Sequence, residues 1–148
     1  MTAPRYESVR VLEREVGVLI RRVKRVIGER ARAVHEDLQP ASYLMLSWLA
    51  EAGPVRASEM VDHFGIDKGA VSRQLQHLGD LGLVERTPDP ADGRATLVAA
   101  SDDAVRRLAD VGEHRRKWLD ERLGDWNADE LATFAATLEK YNSALNAG

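Results

Sequence analysis

The chain has 148 residues, of which 44% are hydrophobic and 30% charged, with no cysteine and a net charge of −3. That length suits one domain or two small lobes around a buried core, and the lack of cysteine excludes disulfides, thiol redox sensing and cysteine-rich metal sites. No apolar run reaches the length of a membrane span, and the opening MTAPRYESVR has no apolar signal core, so no membrane role and a cytoplasmic location are expected.

The first predicted element is a long amphipathic helix from about Tyr6 to about Asp37. Val9, Leu12, Val16, Leu19, Ile20, Val23, Val26 and Ile27 recur every three or four residues along it. The first 35 residues hold nine basic residues, Arg21, Arg22, Lys24 and Arg25 among them, against four acidic ones, a net of +5. Such a run is most often a solvated helix face. Other readings are contact with DNA phosphates or a bound anion, and a membrane-surface helix, which the lack of Trp or Phe on the apolar face weakens. Gln39-Pro40 then opens a second helix to about Glu51, because proline is favoured at the first helical position.

A short helix, a turn at Gly65 and another helix follow. Gly65 can take positive φ without Cβ strain, and Asp67 stands where an N-cap belongs. Met60, Val61, Phe64, Ile66, Val71, Leu75 and Leu78 have the spacing to pack the two helices together. Lys68, Gly69, Ser72, Arg73 and Gln76 then share the outward face of the second helix, with His77 placed to meet a phosphate. Arg can bridge guanine O6 and N7, Gln can bridge adenine N6 and N7, and Ser can reach either; Gly69 would let the backbone approach a duplex. Gly82 ends this helix. Leu83 to Thr87 and Thr96 to Ala99 read as a two-stranded ribbon, joined by the turn-rich PDPADGR. Arg94 leaves that tip, where it could enter an adjacent minor groove, with Asp92 placed to hold its guanidinium by a bidentate pair. The layout is that of a winged helix-turn-helix, a module that lays one helix in the major groove.

From Arg56 to Arg94 there are five basic residues (Arg56, Lys68, Arg73, Arg86, Arg94) and seven acidic ones (Glu59, Asp62, Asp67, Asp80, Glu85, Asp89, Asp92), a net of −2. Such a module must work through a few well-placed cations, with avidity from two copies. Ser101 caps the next long helix, with Asp102 and Asp103 in its first turn, favourable for the macrodipole; Val105, Leu108, Val111, Trp118, Leu119 and Leu123 are its apolar positions. Asn127 and Glu130 form a capping-box-like start to the last helix. There Leu131, Phe134, Leu138, Tyr141 and Leu145 keep a three-four alternation suited to helix pairing. The long first and last helices have little else to cover them, so pairing with a second copy is expected; an intramolecular seam is the other reading.

The residues DKGAVSRQLQHLGDLGLVER, then DPADGR, then TLV followed by Ser101-Asp102, resemble the MarR family of bacterial transcription regulators. The resemblance extends over nearly the whole chain in length and helix order. It implies a mostly α fold with a small β wing: a winged helix-turn-helix DNA-binding domain over 39–100, and a helical dimerisation region over 1–38 and 101–148. The family's acidic–x–Arg wing motif falls on Asp92 and Arg94, and its dimer interface on the terminal helices. Three positions depart from the pattern: Gln74 where an apolar residue is usual, Val61 for Ala, and Ala104 for Gly. Gln74 is either half-buried or an additional reading group. The resemblance further implies that small aromatic or phenolic anions bind at the junction of the two lobes and loosen DNA binding. Arg21, Arg25, His35, His114 and Arg115 are cation candidates for such a site, and Tyr43, Trp48 and Trp118 are wall candidates; the alternative is that these aromatics fill the core.

No catalytic constellation stands out. His35, His63, His77 and His114 are scattered, with no HExxH, Gly-rich phosphate loop or Gly-x-Ser-x-Gly elbow, and no cofactor is implied. The expected function is therefore that of a homodimeric regulator on a palindromic double-stranded operator, a repressor relieved by a small ligand. Two alternatives belong to other classes: a winged-helix protein-interaction module without DNA binding, favoured by the acidic lobe, and a small-molecule-binding enzyme or carrier.

Overall fold

Short-range capping bonds set the helix boundaries in the computed structural model, which describes residues 1–146. The elements run α1 (Ala3–Val34), α2 (Pro40–Ala52), β1 (Val55–Arg56), α3 (Ala57–Phe64), α4 (Lys68–Asp80), β2 (Val84–Asp89), β3 (Asp92–Ala100), α5 (Asp102–Arg122) and α6 (Ala128–Asn146). Thr2 caps α1 by accepting from the Arg5 N–H. The helix stops at Val34, short of the predicted end near Asp37, because His35 turns extended and its Nδ1 accepts from the Asp37 N–H at 3.0 Å. Proline opens α2 as predicted. At the far end, Asn127 Oδ1 accepts from the Glu130 N–H at 2.8 Å and Glu130 Oε1 accepts from the Asn127 N–H at 3.3 Å, so the predicted capping box starts α6.

The sheet has three antiparallel strands in the order β1-β3-β2, one more than the predicted ribbon. The extra strand, Val55–Arg56, pairs Val55 with Val98 and Arg56 with Leu97. Two residues give no periodicity to read, which is why the sequence did not reveal it. The β2–β3 ladder is regular from Val84↔Ala100 to Pro88↔Thr96, then slips, so that Asp89 stands opposite Asp92.

The chain divides into two compact units, Met1–Val111 and Gly112–Gly148. The first contains the core. Ala31, Val34 and Leu38 meet Leu46 and Leu49 of α2, Met60 of α3, Val71, Leu75 and Leu78 of α4, and Leu83, Val98 and Ala104. Ser101 seals this unit at one seam: its hydroxyl donates to the Gly82 carbonyl at 3.0 Å and accepts from the Ala104 N–H at 3.1 Å, joining the turn after α4 to the start of α5. Arg107 donates from Nη1 to the Val34 carbonyl at 2.9 Å, satisfying a carbonyl at the C-terminus of α1. Further along α1 toward its N-terminus, Leu12, Leu19, Ile20 and Val23 are exposed.

The second unit is different in kind. No described residue of α6 is buried. Trp126 and Phe134 meet edge to face with ring centroids 5.8 Å apart, and the Arg122 guanidinium lies 5.4 Å from the Trp118 ring centre. Phe134 is 56% exposed and Leu145 65%. No helix among the described residues is long and apolar enough to cross a membrane.

Candidate nucleic-acid interface

The helix-turn-helix begins with a Glu59 carboxylate that accepts from the Arg56 N–H at 2.8 Å and fixes the start of α3. Gly65 ends α3 at φ 63, in the left-handed region where an L side chain is strained. Asp67 then caps α4, with Oδ1 accepting from the Ala70 N–H at 2.7 Å. Met60, Val71, Leu75 and Leu78 are buried between the two helices as predicted, and Val61 and Phe64 pack at the margin. Ile66 departs from that reading: it is exposed, because the turn residue lies outside both helices and projects from the α3–α4 seam.

Lys68, Gly69, Ser72, Arg73 and Gln76 are all exposed on α4. Gly69 has a specific neighbour there. A Cβ at that position would stand 3.3 Å from Arg73 Nη1 and 3.1 Å from Asp67 Oδ1, so the space beside the glycine holds the Arg73 head group. Gln76 donates to Asp80 Oδ1 at 3.0 Å. Gln74 is half-buried, its Oε1 accepting from the hydroxyl of the fully buried Ser42 on α2. That hydrogen bond supplies a partner in the core for the one polar residue at a usually apolar position. The His77 Nε2 is buried and has no hydrogen-bond partner among the described residues.

The wing corrects one reading. Asp92 does not hold the Arg94 guanidinium; its Oδ1 accepts from the Arg94 backbone N–H at 3.1 Å. The ordered acid–arginine pair joins Asp89 to Arg56 instead, with Nε at 2.9 Å and Nη2 at 2.6 Å from the same oxygen, Oδ2. The other oxygen of Asp89 accepts from the Ala91 N–H at 2.9 Å. That backbone bond, followed by the Arg56 bond, holds the Asp89 carboxyl below the usual carboxylate range, and the Asp89 bond raises Arg56 above its ordinary value. The Arg56–Asp89 pair lies 33 residues apart in sequence, beyond the reach of local spacing.

With Arg56 engaged, Lys68, Arg73, Arg86 and Arg94 are exposed cations of this lobe with no ion-pair partner among the described residues. Lys68 and Arg73 lie on α4, Arg86 on β2 and Arg94 on β3. An exposed helix face with two cations and a hairpin with two more are the kinds of group that contact nucleic-acid phosphates and base edges.

The ligand candidates are distributed over both units. Arg21, Arg25, His35, Tyr43 and Trp48 belong to the first and His114, Arg115 and Trp118 to the second. Tyr43 is a core residue at 6% exposure, and Trp48 stacks on His63 with centroids 4.5 Å apart while meeting Phe64 edge-on. Tyr43 is thus part of the core, while Trp48 is half-buried at its edge. His35 has its Nδ1 occupied by the Asp37 N–H. Trp118 is exposed beneath Arg122. The second unit carries an open groove lined by Trp126, Asn127, Glu130, Thr133, Phe134 and Thr137, none of them a residue the sequence singled out for a ligand.

Known proteins place this geometry in context. Residues 36–95 match the profile described as MarR family. Over 137 residues the chain is 30% identical to the uncharacterized HTH-type transcriptional regulator YxaD of Bacillus subtilis (strain 168), covering 93% of this chain and 94% of that protein. The crystal structure of a mutant MarR from E. coli superposes with a TM-score of 0.68 at 25% identity, covering 88% of this chain and 95% of the other. The crystal structure of RV1404 from Mycobacterium tuberculosis has a similar fold, with a TM-score of 0.79 at 20% identity over 92% of this chain and 93% of that one.

Proposed function

The chain belongs to the MarR family of DNA-binding transcriptional regulators, and from that premise we propose that it acts in the cytoplasm as a homodimeric repressor on a palindromic operator. The observation that carries this reading is the exposed α4 face, with Arg73 at its centre, beside a wing that presents Arg94. Lys68, Gly69, Ser72, Arg73 and Gln76 face the bases and nearby phosphates, and Arg94 enters the minor groove, with Asp92 holding its backbone.

The dimer is supported by the apolar residues that a single chain leaves exposed: Leu12, Leu19, Ile20 and Val23 on α1, and Phe134, Leu138 and Leu145 on α6. A lobe with net charge −2 over Arg56–Arg94 has few cations for one half-site. Two rigidly joined lobes make the second contact intramolecular, adding on the order of two to four decades of avidity. The half-sites would lie about 10 base pairs apart, one helical turn.

Relief by a small aromatic or phenolic anion completes the proposal, supported by the family to which the chain belongs. Arg21, Arg25, Arg115 and Trp118 are the positions to test; benzoate is a suitable probe, with loss of operator binding as the readout.

The direct experiment is selection of duplexes from a randomised library by the purified protein, followed by gel shift and light scattering. A palindromic consensus and a mass twice the 16.4 kDa of one chain are expected. A single half-site consensus with a monomer mass would overturn the homodimer and the palindrome together.

A further inference from the structure

Arg56 stands at a crossing point of the winged lobe. It is the last residue of β1 and the N-cap of α3, with its own N–H held by Glu59. Its backbone pairs with Leu97 on β3, and Leu97 pairs on its other side with Thr87 on β2. Its side chain nevertheless ends on Asp89, two residues farther along β2 than Thr87. The guanidinium therefore crosses β3 diagonally to reach the outer strand near the wing tip. There it meets a carboxylate whose side chain is only 11% exposed and whose second oxygen is held by the Ala91 N–H.

The position of that carboxylate gives the bond its significance. The ladder slips between Pro88 and Asp89, so strand pairing alone does not fix the tip beyond that point. Asp89 closes the gap from both sides, binding the turn backbone through one oxygen and the start of the helix-turn-helix through the other. Two N–H donors on one charged oxygen make a directional, charge-assisted contact. Arg94 follows on β3, past the same turn.

We propose that Arg56 and Asp89 are positioning residues for DNA recognition: a cross-strand brace that fixes where the wing arginine, Arg94, stands relative to the recognition helix α4. The inference rests on the DNA-binding reading above. The brace takes Arg56 out of the pool of DNA-contacting cations and uses it to direct another one.

The test is a double-mutant cycle on duplexes that the wild-type protein selects from a randomised library, prepared with A·T or G·C flanks. Asp89→Asn and Arg56→Gln should each weaken binding to the A·T-flanked duplex by about tenfold, within the range of coupling for residues in one network. Either change should add no more than about twofold in an Arg94→Ala background, because the residue it positions is gone, while losses with Arg73→Ala should multiply. Hydroxyl-radical protection in the minor groove should fade with both variants while guanine N7 protection in the major groove persists. Circular dichroism checks the fold. If Asp89→Asn unfolds the turn, Arg56→Gln, which leaves the Asp89–Ala91 bond in place, decides the question. Losses that multiply with Arg94→Ala, or that are equal on both flanks, overturn the brace and leave the DNA-binding reading standing. A silent Arg94→Ala removes the wing contact and the brace with it, and wild-type protein that selects no duplex overturns the DNA-binding reading itself.

Discussion

The winged lobe and the last helix use the same kinds of apolar residue to opposite ends. In the lobe, Leu46, Leu49, Met60, Leu78 and Leu83 are sealed from solvent and come from α2, α3, α4 and the turn after it. In α6, Phe134, Leu138 and Leu145 repeat at regular spacing, yet no described residue of the helix is buried. Amphipathic periodicity alone does not tell a core from an interface; what separates them is whether the same chain supplies a second surface. The lobe has one, and α6 presents its stripe outward.

If α6 is an interface, disturbing it should leave the lobe folded and remove cooperative binding. Leu138→Glu is expected to give a monomer by light scattering and to lower operator affinity by about two to four decades, the avidity of linked sites. A dimer that persists with full affinity would break the contrast. Truncation inside the lobe should act on folding instead: Leu78→Ala is expected to lower unfolding free energy by about 2–5 kcal/mol in a denaturant titration. Leu145→Ala in the monomeric Leu138→Glu background should change it by no more than about 0.5 kcal/mol. Similar losses at both positions would show that α6 is packed as a core helix. Arg73→Ala sharpens the comparison from the DNA side, since it should cost about 1–3 kcal/mol in operator binding and relax base preference at one position per half-site, with fold and dimer mass unchanged.

The smallest effect concerns pH. The folded Asp89 carboxyl is held below its ordinary value by the Ala91 N–H and then by Arg56. Its contribution to stability is therefore present above the unfolded carboxylate value of about 3.9 and is lost as pH falls through the lower folded value. The gap in melting temperature between wild type and Asp89→Asn should stay constant from pH 7 to about 5 and close as the solution is acidified below about 4. A gap that closes near neutral pH would show that another group is responsible.

Features governed by residues a few positions apart were legible in the sequence. The Gly65 turn, the Asp67 and Ser101 caps, the Asn127–Glu130 box and the Pro40 helix start each depend on partners within four residues. Polar pairings across the fold were not. Gln74 finds Ser42 at a separation of 32 residues, and Asp89 finds Arg56 at 33. The spacing of Asp92 and Arg94 suggested a side-chain pair, but the short turn brings the backbone N–H of Arg94 to the carboxylate. Tyr43 illustrates the same limit: an aromatic on a helix has the same letter whether it lines a cavity or, as here, is buried in a core. The two-residue strand β1 was too short to announce itself, yet it supplies the residue that braces the wing.

The bond from Arg107 to the Val34 carbonyl gives α1 the mechanics of a lever. The last turn of the helix is clamped in the core at Ala31 and Val34, while the 32-residue rod extends away from that fulcrum. At 1.5 Å per residue the arm before Ile27 is roughly 36 Å long, so in a single chain a tilt of about 7° at the clamp would sweep its far end by about 4 Å. The spacing between successive bases along a strand is about 3.4 Å. A small angular change at the clamp is thus magnified, at the tip of the rod, into a displacement larger than one base step.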